Sequence, residues 1–393
     1  MAIASIDTPK LQHWPLLVSG AVGIVIFAHL FEKSATKGWL FLIGMFAGLA
    51  LYHAAFGFAG SYRNAIVRKD MSGIVAQIVM LILAMSLFAP ILAEGRVFGH
   101  GAGGSVAPIS VALAVGAFIF GVGMQLGGAC ASGTLFSVGG GSARMLVTLA
   151  FFCLGSWWGT LDVPWWRTLP SMGPVSLGVR MGFGPAVLLQ IVVLLALAAV
   201  LWRLGLRIQR PLLPTGPDNR WSWRMLLRGP WPLLWGGIAL ALVNWAILAV
   251  AGHSWGISWG FTLWGAKFMA LTGWNPAETA YWSQTWRLKA LAAPFLSDHT
   301  TISNIGIVLG AATAAALGGK IRRPSPIPVR ALLTAVIGGL MMGYGARLAY
   351  GCNIGAFFSG VASTSLHGWA WIVMAFAGTV VGVRLRSMFE PNG

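Results

Sequence analysis

Two stretches of this chain carry residues that could do chemistry at a thiol. One is GVGMQLGGACASGTLFS, running from Gly121 to Ser137 around Cys130. The other is GYGARLAYGCNIGAFFSG, from Gly343 to Gly360, around Cys352. In the second, Gly351 and Asn353 flank the cysteine and Arg347 lies just before the Gly-Cys pair. Glycines let a ligand approach backbone N–H groups closely. A helix interrupted at such a point presents about half a positive charge, which holds anions without a side-chain cation. A neutral thiol adds a weak S–H donor and a soft sulfur acceptor. A thiolate 4 Å from a dianion would repel it by about 8 kcal/mol at an effective dielectric of 20, so the uncharged form suits the task. The chemistry is that of a small, polarisable, sulfur-bearing anion held weakly enough to be released.

Elements of unusual hydrophobicity must position these loops. The chain has 393 residues, 57% of them hydrophobic and 9% charged, with mean hydropathy +0.77. Soluble domains carry roughly 25% charged residues, so the lipid bilayer is the expected surrounding. Apolar segments are read at 16–31, 39–60, 71–93, 108–126, 145–161, 185–203, 231–252, 258–273, 301–318, 331–350 and 367–384, and about 20 helical residues cross a hydrocarbon core. The class is therefore an all-α polytopic membrane protein rather than a barrel of alternating strands. The start, MAIASIDTPKLQHWP, lacks the pattern of a cleavable signal peptide. The net charge of +17 is assigned to loops that obey the positive-inside rule, not to nucleic-acid binding. Basic loops lie at Arg63–Lys69, Arg203–Arg228, Lys320–Arg330 and Arg384–Arg386.

Placing those loops on the cytoplasmic face makes 331–350 run outward and 108–126 run inward, so the two Gly-Cys stretches belong to inverted copies. Aligned without gaps, Gly121–Ser137 and Gly343–Ser359 are identical at seven of 17 positions, Cys130 and Cys352 among them, with Gln125 opposite Arg347. Inverted repeats with helices broken at the midplane are a recurring transporter plan. The division is 1–206 for the first half, 207–228 for a basic cytoplasmic linker and 229–393 for the second half. The segment 258–273 dips in and returns, with Leu51–Arg63 as its counterpart, and the count places the amino terminus outside. Lys267, in LWGAKFMAL, and Arg347 are intramembrane cations, expensive and by default functional. Cys153 reads as a small packing hydrophobe, and His53 and His253 as core histidines.

Other chemistries find no motif. GVGMQLGG follows no strand, GxxxxGK[ST] is absent, and histidines and cysteines show no metal-ligand spacing. Neither an enzyme, a metal nor a cofactor is expected.

The segment GYGARLAYGCNIGAFFSGVASTSLHGWAWIVMAFAGT resembles the YeeE/YedE family of sulfur-compound membrane transporters, as do HSWGISWGFTLWGAKF, SNIGIVLGAATAAALGGK and GVGMQLGGACASG. The resemblance implies an hourglass-shaped helical permease of the bacterial inner membrane with short re-entrant helices. It implies thiosulfate passed along neutral cysteines, Cys130 and Cys352 here, without a covalent step. It also implies cytoplasmic partners of the TusA or rhodanese sulfurtransferase type. A third family cysteine, in an FCFAG-like context, is replaced by Gly57 in FGFAG. That departure widens the expected substrate to related soft anions, including selenium compounds. Two other classes stay open at this point: a membrane thiol relay passing sulfur or selenium covalently as a persulfide, and a scaffold for a sulfur-delivery partner.

Overall fold

Each long apolar run closes its own backbone hydrogen bonds as a helix, which a hydrocarbon interior demands. The computed structural model describes residues 11–214, 223–321 and 326–389. The first ten residues, Arg220 of the linker, and Arg322 and Arg323 of the basic loop lie outside the described residues.

The first half contains α1 His13–Lys33, α2 Ala35–His53, α3 Phe58–Arg68, α4 Ser72–Glu94, α5 Val111–Gly127, α6 Ala131–Gly139, α7 Ala143–Trp166, α8 Leu177–Met181 and α9 Phe183–Arg203. After α10 Trp223–Arg228 come α11 Leu233–Ala251, α12 Ser258–Leu271, α13 Thr285–Ala292, α14 His299–Leu317 and α15 Val329–Leu348. A π-helical turn at Asn353–Phe358 then leads into α16 Ser359–Ala362 and α17 Leu366–Phe389. Two two-stranded ribbons, β1 Arg96–Val97 with β2 His100–Gly101 and β3 Pro108–Ser110 with β4 Ser171–Pro174, sit in the loops.

Among the described residues, ten helical stretches are long and apolar enough to span a membrane, three of them composite: Ala35–Arg68, Val111–Gly139 and Val329–Ala362. The chain is a multi-pass membrane protein. The eleventh apolar segment becomes α12, whose 14 residues extend about 21 Å, short of a hydrocarbon core of about 30 Å.

Helix neighbours recur in pairs. Helix α7 packs on α15 as α17 packs on α5, α2 on α14 as α11 on α4, α6 on α14 as α16 on α4, and α12 on α7 as α3 on α17. Helices α5 and α15 lie side by side and antiparallel, Gly116 meeting Leu348 while Gly127 meets Gly338 and Met342. Small residues bring the two backbones together: a Cβ at Gly116 would sit 2.8 Å from the Gly345 carbonyl oxygen. Such close approach is how helices associate where lipid removes the hydrophobic drive. Helix starts are pinned by side chains that satisfy free N–H groups. Ser110 accepts from Leu113 N at 3.1 Å on α5, and Asp298 from Thr301 N at 2.7 Å on α14.

One expectation is corrected. Gln12 donates its backbone N–H to the Ala316 carbonyl at 3.1 Å and accepts from Ile321 N at 3.1 Å. Helix α1 therefore begins beside the Lys320 loop, not on the face opposite the basic loops. The reason is that α1 and α2 form a complete antiparallel pair around Ser34, and the break at Gly57 adds the short α3 to that pair.

Candidate functional site

The two Gly-Cys turns are built alike. Cys130 precedes α6 with φ −82° and ψ −175°, and Cys352 precedes the π-helical turn with φ −103° and ψ −168°. Both side chains are buried, each 1% exposed. Each thiol thus stands at the N-terminus of a short helical segment, where backbone N–H groups lack partners within the helix. The N–H groups of Ser132 and Gly133, and of Phe58 on α3, face the Cys130 sulfur, and Ser132 Oγ lies 3.3 Å from it. Those of Ile354 and Gly355 face Cys352, and the two thiols lie within electrostatic reach of each other.

A third element completes the cluster. Tyr62, on α3, places its hydroxyl beside Cys130 and the Asn353 amide. The Tyr62 hydroxyl and the Asn353 side chain are buried facing each other, with no other hydrogen-bond partner among the described residues. Buried polar groups almost always find partners, and each exception calls for a bound ion, a water or a function. Two under-satisfied polar side chains converge here beside two thiols.

Cavities open at opposite ends of α5 and α15. One, of about 720 Å³, is lined by Gly128 and Ala331 together with Arg144, Arg228, Lys320 and Arg386. The other, of about 370 Å³, is lined by Ala112, Trp166, Arg167 and Tyr350, two residues before Cys352. Gly57 borders α3, and a Cβ placed there meets nothing within 4 Å. A side chain at that position would enter open space.

The remaining residues singled out in the sequence lie around the thiols rather than on them. Gly351 adopts φ +154° and its carbonyl accepts from Trp371 Nε1 at 3.3 Å. A Cβ there would sit 2.8 Å from Ala356 N, so the turn requires glycine. Gln125 donates to the Ala59 carbonyl at 3.1 Å and accepts from Arg386 at its own carbonyl at 3.0 Å, which locks α5 to α3 and α17. Lys267 donates to the carbonyls of Leu291 and Ala293 at 2.6 Å each, holding the end of α13. Arg347 places its guanidinium 5.7 Å from the Tyr281 ring centroid. Cys153 lies on α7, where its backbone carbonyl crowds Gly265 of α12.

Sequence reasoning missed Tyr62 and the arginines near Arg347. Tyr62 falls two residues after the FGFAG stretch, and one of only five tyrosines beside a Gly-rich break was the signal available.

Comparison with known proteins gives a consistent picture. The family described as "Sulphur transport" matches residues 53–381. The thiosulfate transporter TsuA of Spirochaeta thermophila is 28% identical over 344 residues, covering 84% of this chain and 92% of the relative. TsuA of Escherichia coli is 23% identical over 347 residues, covering 85% and 90%. The probable transporter YedE of Escherichia coli is 28% identical over 163 residues, a match of 42% of this chain and 39% of that protein. These relatives are named as transporters, not enzymes. With the family match spanning most of the chain and ten apolar helices to carry it, this protein belongs to the sulphur-transport family of membrane proteins, the YeeE/YedE group.

Proposed function

We propose that this protein is an inner-membrane permease for a small soft sulfur anion, thiosulfate or a close relative, which passes between Cys130 and Cys352 without covalent attachment. The observation that carries the reading is the meeting of both thiols with the buried, under-satisfied Tyr62 hydroxyl and Asn353 amide. Tyr62 and Asn353 donate hard hydrogen bonds to the oxygens of the anion, while the S–H groups contact its terminal sulfur. The matching helix neighbours of the two halves support inverted repeats, 1–206 and 229–393, joined by the linker 207–228. The two cavities support an hourglass with its waist at the thiols. Gly351 shapes the Cys352 turn and Gly57 leaves the passage wide. Gln125 and Lys267 hold the frame, and Arg347 contributes positive potential from one end. Because Gly57 stands where the family carries a third thiol, a selenium-containing analogue is included in the substrate class. A cytoplasmic sulfurtransferase of the TusA or rhodanese type would receive the cargo at the basic cavity.

The test is thiosulfate uptake by cells lacking other routes. Cys130→Ala and Cys352→Ala each lower uptake by about tenfold or more, the loss of a contact worth about 1.4 kcal/mol. Wild-type rates in both variants would remove the cysteines from the mechanism. Mass spectrometry after substrate exposure finds Cys352 unmodified, whereas a persulfide adduct would favour a covalent relay.

A further inference from the structure

Three arginines lie within electrostatic reach of one another, and one of them, Arg167, lines the smaller cavity. Arg287, on α13, is only 7% exposed, and its guanidinium carbon lies 3.7 Å from the Tyr281 ring centroid and 4.8 Å from that of Trp286. One Nη donates to the Tyr281 carbonyl at 2.6 Å, while its Nε is buried with no partner. Arg347 approaches the same tyrosine ring, and its buried Nε is likewise unpartnered. Arg167, at the end of α7, is exposed and lines the cavity that leads to Tyr350. Burial pushes the Arg287 guanidinium below its ordinary range; Tyr281 opposes this, and the charges of Arg167 and Arg347 add to it.

Among the described residues, none of the three makes an ion pair, and the nearby Asp162 instead accepts from the Tyr344 hydroxyl at 2.9 Å. Like charges held together without a carboxylate repel, and a buried cation missing a hydrogen bond is costly. A bound anion removes both costs at once. Arginine recognises oxyanion charge and geometry through its fork of donors but does not discriminate sulfur from oxygen.

We propose that Arg167, Arg287 and Arg347 form a recruitment site for small divalent oxyanions at the mouth leading to Cys352, distinct from the thiol pair. Its place on the route rests on the permease reading; its capacity to bind does not. Selection then occurs twice, first by charge at the arginines and then by softness at the thiols. Sulfate competes for the first stage without passing the second.

The experiment uses the purified full-length protein in nanodiscs, with calorimetric titration of sulfate and of thiosulfate at low salt. Wild type and the Cys130→Ala/Cys352→Ala double variant bind sulfate alike. Arg287→Gln and Arg347→Gln each weaken binding by about tenfold or more, and the exposed Arg167→Gln, which leaves the packing untouched, weakens it by about threefold. In cells, Arg167→Gln raises the KM for thiosulfate uptake, leaves the maximal rate unchanged and flattens its dependence on ionic strength. Sulfate affinity equal to wild type in folded Arg347→Gln and Arg167→Gln overturns the site, as does wild type that binds neither anion. Arginine-dependent sulfate binding in a protein that transports no thiosulfate leaves the site standing and removes the permease reading instead.

Discussion

The two Gly-Cys turns share a frame and differ in how much tension they hold. In the aligned register Gly128 faces Tyr350, and both adopt left-handed backbone, φ +89° and φ +61°. The first half meets that demand with glycine; the second imposes it on a bulky residue, which is uncommon and strained. The first turn continues into α6, a regular nine-residue helix, and Ser132 engages the thiol. The second continues into a π-helical turn, a rare form that concentrates at functional sites, and carries the under-satisfied Asn353 amide. Surroundings differ as well. The carbonyls at the end of α5 receive Arg386 at Gln125 and Arg144 at Leu126, both at the rim of the larger cavity. The second turn is instead covered by the segment following β2, where Ser105 donates to the Gly355 carbonyl at 3.1 Å. One backbone frame thus carries two different turns, a glycine-relaxed one at Cys130 and a strained, covered one at Cys352.

The comparison breaks most sharply at the glycines. Gly351→Ala combines a positive φ with an overlap at Ala356 N, and is expected to cost about 3 kcal/mol or more. Gly128→Ala, whose Cβ finds its nearest atom at 3.5 Å, costs about 1 kcal/mol. Thermal unfolding in detergent measures both, and equal losses would show that the two turns are not under different tension. Next in size, Asn353→Ala lowers thiosulfate uptake by about tenfold and costs about 1 kcal/mol of stability or less, since the Tyr62 hydroxyl is the one internal partner that the amide faces among the described residues. Ser132→Ala on the other turn lowers it by about twofold. A collapse of stability in Asn353→Ala would make the amide structural.

Much of this frame is readable in the residues themselves. Cys130 and Cys352 stand out because a seven-of-17 identity ties them together across 222 residues, and 14-residue α12 follows from an apolar run broken by glycine and tryptophan. Tyr62, Arg167 and Arg287 were not legible, because what matters about them is contact between elements distant in the chain. Lys267 and Arg347 were legible as costly cations, but not their destinations, which depend on α13 and Tyr281 folding back over the helix ends. The π-helical turn has no sequence signature apart from its glycines.

Smaller effects sharpen the contrast. Gly57→Cys, placed in open space beside the first turn, leaves the melting temperature unchanged within about 2 °C and adds a thiol reactive to small methanethiosulfonates. Protection of that thiol would mean the first turn is closed. The smallest effect is on acid stability. The Asp70 carboxyl joins the start of α4 to Arg207–Arg210 after the first half and accepts from Arg210 Nε at 2.8 Å. Burial alone would raise its pKa, but hydrogen bonds from Ser72 and the Arg210 charge together hold it below the ordinary carboxylate value. Its contribution is therefore full above about pH 4 and is lost as pH falls through the lower folded value. Melting curves from pH 5 to pH 2 show this component in wild type and lack it in Asp70→Asn.

The near-complete burial of both sulfurs has an electrical consequence. Groups so thoroughly shut off from bulk water are poor neighbours for a file of waters, so on the permease reading the resting protein is expected to carry no proton or chloride current, which recording across a planar bilayer checks. Cargo that brings its own charge and its own soft atom would then cross singly, without the membrane discharging behind it.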